Sequence, residues 1–357
     1  MKDGKFGFGI IGCGVIAHTH RLAIDACDEA ELVAVCDTDE RQIRSFLAGM
    51  GGGAAGVRTY SDYRELVRDP RVDVVSVCTP SGLHCEGVTA AARAGKHVLC
   101  EKPLEIDAGR MTEMTAACRD AGVKLGCVFQ SRTSPDMIRA RNAIQDGLLG
   151  RMILADAYLK DYRSQAYYRS AGWRGTWALD GGGALMNQGV HGVDLLLWLM
   201  GSPVVSVFAR AEHKVRDIEV EDTAVANLRF KNGAYGALIG TTSCNPGEAR
   251  RIELHGDRGT ITVSGSSITR WANTIEDDGR AEDSEPPREI EIEGAVADPS
   301  DIGSSGHVFL VDDLVRAIRE DGKPYVTGES ARGAVDLILA IYESARSGRE
   351  VEVRHAG

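Results

Sequence analysis

The apolar run KHVLC is followed at once by Glu101, Lys102 and Pro103. A lysine at such a place is normally a solvated surface charge. Here the run before it reads as a buried strand, and Pro103 restricts the backbone, so the side chain has a defined direction. Ligands of open α/β sheets bind outside the carboxyl ends of strands. Lys102 could therefore exchange a proton with a substrate hydroxyl. A lysine ammonium titrates near about 10.4 in water, so a base role needs burial or a neighbouring cation to lower that value.

A second group lies in GGGALMNQGVHGVDLLLW, residues 181–198. On an α-helix, Asn187, His191, Asp194 and Trp198 fall on one stripe, and Met186, Val190, Val193 and Leu197 on a neighbouring apolar one. A solvent-facing stripe would suit lysine and glutamate better than asparagine, histidine and tryptophan. The competing reading is a structural histidine with its hydrogen bonds satisfied. Asp194 is expected to hold the histidine or the helix in place.

The third group is Gly12-Cys13-Gly14-Val15-Ile16-Ala17, a G-x-G-x-x-A fingerprint between a strand and a helix. Gly12 permits the tight turn, Gly14 lets the backbone approach a pyrophosphate, and Ala17 allows close helix–strand packing. Val15 and Ile16 open the helix whose free N–H groups and dipole meet the phosphates. Asp37 ends the next strand about 20 residues on, where its carboxylate can accept from ribose hydroxyls. NAD is favoured, while Thr38 and Arg41 leave room for NADP.

The elements that must carry these groups follow from pattern. FGFGIIG (6–12), ELVAVCD (31–37), VDVVSVCTP (72–80), KHVLCE (96–101) and KLGCVFQ (124–130) read as buried strands. They alternate with helical stretches at 18–28, 62–69, 84–94 and 108–121, the rhythm of βαβ units around a parallel sheet. GMGGGAAG (49–56) reads as a flexible loop. After about residue 150, strands dominate, with Asn232-Gly233 as a hairpin turn and GDRG (256–259) as another. The expected fold is an α/β Rossmann domain over 1–130. An α+β domain with a large, mainly antiparallel open sheet follows over 131–357, its two C-terminal helices (307–320 and 329–347) free to pack back on the first domain. Residues 273–301 read as an acidic, solvated excursion with one short strand.

The 357 residues exceed most single cores, and the formal charge of −11 argues against nucleic acid or anionic membranes as partners. The apolar run near the start reads as a strand rather than a signal peptide, and no stretch is long and apolar enough to span a membrane. Nine scattered cysteines without a C-x-x-C pair suggest reduced thiols and a cytoplasmic protein, with no metal site expected. An open antiparallel sheet needs cover, so a homodimer or homotetramer is expected.

GIIGCGVIA, CTPSGLH, GKHVLCEKPL, WRGTWALDGGGALMNQGVHGVDLLLWLMG and the final helix with EVEV together resemble the Gfo/Idh/MocA family, the glucose–fructose oxidoreductase and inositol dehydrogenase group. The resemblance spans essentially the whole chain. It implies NAD(P)-linked oxidation or reduction at a CH–OH carbon of a sugar, inositol or related polyol. It further implies Lys102 as the catalytic lysine touching both nicotinamide ribose and substrate, Glu101, Thr79, Pro80 and Gln130 on the cofactor side, and often a cis peptide before Pro103. Ser81 stands where the family often has Asn. His84 is either a cofactor-side residue or a helix N-terminal polar group.

The family's Asp four residues before the His is here Asn187, which can orient a hydroxyl but cannot take up a proton at neutral pH. His191 matches. Some amino-sugar and sugar-nucleotide dehydrogenases of the family are similar at G-G-G-x-L-x-N-Q, which points to a sugar bearing a carboxylate or amino group. Arg132 is a candidate for such an anionic group, and Trp173 and Arg174 for closing over nicotinamide or sugar; each is equally readable as packing or surface charge. Two other functions fit the same residues: glycoside cleavage through transient oxidation, with NAD regenerated each cycle, and a non-catalytic NAD-sensing regulator, which the Lys102/His191 pair disfavours.

Overall fold

All six residues of β1 (Phe6–Ile11) are buried, as a strand covered by helices on both faces requires. The computed structural model describes residues 4–274, 281–286 and 305–354. After β1 come α1 (Val15–Ala26), β2 (Ala30–Cys36), α2 (Glu40–Ala48), β3 (Arg58–Tyr60), α3 (Tyr63–Leu66), β4 (Val74–Val77), α4 (His84–Arg93), β5 (His97–Cys100), α5 (Ala108–Asp120) and β6 (Leu125–Cys127). The six strands pair in parallel in the order β3-β2-β1-β4-β5-β6. Strand order reverses between β1 and β4, the switch point where such sheets bind ligands.

The sequence reading missed α2 and β3. Only Ile43 and Phe46 of α2 are buried among charged neighbours, and β3 has three residues. The expected loop over 49–56 contains a 3-10 turn, Gly51–Ala54.

The rest of the chain forms α6 (Pro135–Gln145), β7 (Met152–Lys160), α7 (Gln165–Arg169), a π-helical turn (Ala184–Gly189), α8 (Val190–Met200), β8 (Val204–Glu212), β9 (Thr223–Phe230), β10 (Tyr235–Thr241), β11 (Arg251–Gly256), β12 (Gly259–Ser264), β13 (Ser267–Thr274), β14 (Ala281–Asp283), α9 (Ser305–Arg319), α10 (Gly328–Ser347) and β15 (Val351–Glu352). Among the described residues nine strands make one sheet, β14-β13-β12-β11-β7-β10-β9-β8-β15. Its pairs are antiparallel except β7–β10, which is parallel. Gly233, at φ 91°, closes the β9–β10 hairpin where Asn-Gly is favoured.

In β9, buried Ala224, Ala226, Leu228 and Phe230 alternate with exposed positions, so this sheet has one covered and one open face. The open face shows Leu154, Phe208, Val225 and Tyr235. Of the acidic stretch 273–301, Ala281–Asp283 pairs with β13, and 275–280 and 287–301 lie outside the described residues.

The described chain divides into two compact units: residues 4–130 with 305–332, and residues 131–274 and 281–286 with 333–354. In the first unit α9 packs on α1. Among the described residues no helix is long and apolar enough to cross a membrane.

Candidate functional site

In the first unit, the loop after β1 is shaped for a dinucleotide. Gly12 has φ 94°, and a Cβ there would lie 2.6 Å from the Cys78 carbonyl oxygen, so only glycine fits. A Cβ on Gly14 would meet nothing within 4 Å, which leaves the approach to the start of α1 open. No side chain caps that helix, and its N-terminus offers N–H groups to an anion. Asp37 accepts the Cys13 N–H at 2.8 Å and the Asp39 N–H at 2.9 Å, so its carboxylate is fixed beside the loop. Arg41, the residue that left room for NADP, spends its guanidinium on Asp39 at 2.8 Å. Thr38 is exposed.

The loop after β4 holds Thr79, whose Oγ1 is buried without a hydrogen-bond partner, an atom a ligand would satisfy. Pro80 follows it, then Ser81 in a 3-10 turn. These features fit a bound dinucleotide. His84 is buried at the start of α4 and touches no open space. Its Nδ1 lies 2.8 Å from the Pro103 carbonyl oxygen and its Nε2 3.0 Å from that of Thr79. It thus sits as a polar group at a helix N-terminus, as one of the two readings had it, between the Thr79 loop and the loop carrying Lys102.

Lys102 is half-buried directly after β5, ahead of a cis bond to Pro103. Glu101 beside it is buried and accepts the Lys102 backbone N–H at 3.1 Å. Its other oxygen lies 2.9 Å from His20 Nε2 and 3.4 Å from His307 Nε2. Burial pushes the Glu101 carboxyl up, but the two imidazoles outweigh it and hold the group well below the usual carboxylate range. His20, Glu101 and His307 come from α1, the end of β5 and α9, and their ligand-type atoms lie within 4.8 Å of one another. Spacing along the chain gave no hint of this grouping, and its 2.9 Å contact is that of a hydrogen bond. Gln130 opens the 3-10 turn after β6. Burial pushes the Cys13 thiol up to about 12, so the cysteine inside the fingerprint is no nucleophile at neutral pH.

In the second unit, Asn187 sits in the π-helical turn and His191 on α8. The wider turn breaks the single α-helical stripe expected from Asn187 to Trp198. The Asn187 amide donates to Asp180 Oδ1, and Asp180 Oδ2 accepts the Gly175 N–H at 2.8 Å. A carboxylate thus stands directly behind the amide that replaces one. Gln188 donates to Tyr167 Oη at 2.8 Å and accepts from Arg163 at 2.7 Å. Arg174 stacks over Tyr167 and Trp173, with ring centroids 4.2 and 4.7 Å away, and hydrogen-bonds Tyr167 Oη. His191 is half-buried.

Arg132 does not present its charge at a surface. It is buried and donates from Nε to Asp194 at 2.8 Å, with a second bond from its terminal nitrogen. Asp194 is correspondingly committed to Arg132 rather than to His191. Burial raises the Asp194 carboxyl and the arginine opposes that shift. Arg250, which the sequence reading did not single out, packs against α8: a Cβ on Gly192 would lie 2.9 Å from its Cδ. Burial works against its charged form, which the Asp161 and Asp194 carboxylates favour. Asp180, in ALDGGG just before the glycines, was the one missed residue with a local signal. Arg250 and the histidines 20 and 307 had none.

Residues 6–129 match the family described as "Oxidoreductase family, NAD-binding Rossmann fold", and residues 137–262 match the Gfo/Idh/MocA C-terminal domain. The chain is 32% identical over 260 residues to myo-inositol 2-dehydrogenase of Thermotoga maritima, covering 71% of this chain and 73% of that protein. It is 28% identical over 347 residues to 1,5-anhydro-D-fructose reductase of Ensifer adhaerens, covering 97% and 98%. Among solved structures, the WlbA dehydrogenase from Bordetella pertussis, in complex with NADH and UDP-GlcNAcA, superposes with a TM-score of 0.84 at 35% identity over 98% of this chain and 99% of that one. With both parts matched and the Rossmann cradle intact, the chain belongs to the Gfo/Idh/MocA oxidoreductases, a family with an NAD-binding Rossmann fold.

Proposed function

We propose that this chain is an NAD-dependent dehydrogenase that oxidises a ring hydroxyl of a sugar or sugar derivative. The observation that carries the reading is Lys102 at the carboxyl end of β5, on a loop gripped by buried Glu101 and His84. Gly12, Gly14, Val15, Ile16, Asp37, Thr79 and Pro80 would hold the dinucleotide, with Thr38 and Gln130 at its edges. Bound nicotinamide supplies the hydride acceptor. Lys102 Nζ takes the hydroxyl proton, His191 hydrogen-bonds the reacting or adjacent hydroxyl, and Asn187, steadied by Asp180, orients the ring. Trp173 and Arg174, stacked on one another, suit a wall of the substrate site. The fixed carboxylate of Asp37 and the pairing of Arg41 with Asp39 support NAD over NADP, since a 2′-phosphate would meet like charge.

Within sugars, an acidic one is favoured. Arg250 beside α8, whose charge the Asp161 and Asp194 carboxylates already act on, could add a sugar carboxylate in the role first considered for Arg132, and the WlbA dehydrogenase is similar over nearly the whole chain. The test is a screen of aldoses, inositols, uronic acids and UDP-linked uronic acids with NAD and with NADP, read by NADH absorbance. Reduction of NAD with an acidic sugar, and much weaker reduction of NADP, is expected. Tight NADH binding without reduction by any sugar would favour the sensing regulator, and substrate cleavage without net NADH would favour the redox glycosidase.

Leu154, Phe208, Val225 and Tyr235 on the open sheet face suit self-association. Light scattering should give the mass of a dimer or tetramer, and Val225→Lys with Tyr235→Glu should give a monomer. A monomeric unaltered chain would rule this out.

A further inference from the structure

We propose that Glu221 is a positioning residue for the substrate side: with Tyr342 it holds the glycine lead-in Gly181–Gly183 so that the π-helical turn presents Asn187 and His191. This rests on the reading that Asn187 and His191 meet the substrate. Glu221 is buried just before β9, and its carboxylate accepts the Gly183 N–H at 3.0 Å, the Leu185 N–H at 2.8 Å and the Tyr342 hydroxyl at 2.8 Å. Its backbone carbonyl accepts the Ala184 N–H at 3.0 Å. One residue therefore collects three successive N–H groups at the start of the turn, donors that a helix start leaves without intrahelical partners.

The same contacts explain the glycines. A Cβ on Gly182 would lie 2.1 Å from the Tyr342 hydroxyl, and one on Gly183 would lie 2.1 Å from the Glu221 carbonyl oxygen. The lead-in is pressed onto the Glu221–Tyr342 pair, where no side chain fits. Freedom of motion is not what the glycines supply.

The grip depends on charge. The carboxylate suits all three donors best, because protonation turns one of its acceptor oxygens into a donor facing N–H and O–H groups. The titratable groups around it are Tyr342 of α10, Tyr168 of α7, and Asp180 ahead of the glycines. Its neighbour Asp222 is occupied by the N–H groups of Lys214, Val215 and Arg216. Burial pushes Glu221 up to about 7, against the pull of the Leu185 and Gly183 N–H groups and of Tyr342. An acid raised this way costs the fold nothing below its ordinary value of 4.5. Stability falls as pH rises between that value and about 7, and the full cost of the buried charge is present above it. The ionised form that accepts these donors is thus the one that burial disfavours.

Trp177 stands edge-on to Tyr342, with ring centroids 5.2 Å apart, and reports on the pair. In the full chain, tryptophan fluorescence should titrate with a midpoint near neutral pH, and Trp177→Phe should remove that change. Glu221→Gln should abolish the titration and lower kcat by about 10²-fold, as a misplaced site costs, with NADH affinity unchanged. Tyr342→Phe removes a donor to the carboxylate, so the midpoint and the acid limb of kcat should both move to higher pH. Both variants would be checked for an intact urea transition. A titration that persists in Glu221→Gln, or a Tyr342→Phe midpoint that stays put or falls, overturns the proposal. If the fluorescence behaves as stated but kcat ignores it, Glu221 still holds the lead-in, and it is the substrate roles of Asn187 and His191 that fail.

Discussion

Lys102→Ala should lower turnover by about 10²–10⁴-fold, the range general acid–base groups contribute, while NADH binding stays detectable. The asymmetry follows from where the contacts lie. The dinucleotide cradle depends on Gly12, Gly14 and Asp37, whose hydrogen bonds and backbone angles do not involve the lysine side chain. The loop itself is held through backbone groups: Glu101 takes the Lys102 N–H, and His84 takes the Pro103 carbonyl. Truncating the side chain leaves those bonds in place, so the loss should appear in kcat and not in folding. Small primary amines added to the variant should restore part of the rate by supplying the missing proton acceptor. Near-normal turnover in Lys102→Ala would remove the lysine from the chemistry and favour His191 as the proton acceptor.

Much of this was legible in the sequence because it is local. A G-x-G-x-x-A run between a strand and a helix, a proline fixing a strand end, and an Asn-Gly turn each declare their geometry within a few residues. The parallel sheet followed from the βαβ rhythm. The readings that changed or stood open all depend on contacts between distant segments. Arg132 could be read as an anion binder or as packing or surface charge, and its pairing with Asp194, 62 residues away, favours packing. His84 could be read as a cofactor-side residue or a helix N-terminal polar group, and the Thr79 and Pro103 carbonyls beside its ring nitrogens favour the second. The stripe from Asn187 to Trp198 assumed 3.6 residues per turn, and the π-helical turn broke that period. Glu221, which accepts the N–H groups at the start of that turn, lies outside any window around the glycines.

The largest stability loss should come from the Arg132–Asp194 pair. Both groups are almost wholly buried, so Asp194→Ala removes the carboxylate facing a buried guanidinium and should cost about 3–5 kcal/mol. Arg132→Met should cost less than that if Asp194 protonates, since burial already raises its carboxyl. The double change Arg132→Met with Asp194→Leu removes both charges and keeps apolar volume. It should recover most of the loss, because desolvating two ions can consume what their attraction returns. Urea unfolding of the four proteins measures the coupling directly. The same series separates a structural arginine from a substrate-binding one. If Arg132 read an anionic sugar, Arg132→Met would raise KM for acidic substrates at nearly unchanged stability. The bidentate, buried geometry instead predicts a shifted unfolding midpoint with KM moving only as far as α8 loosens.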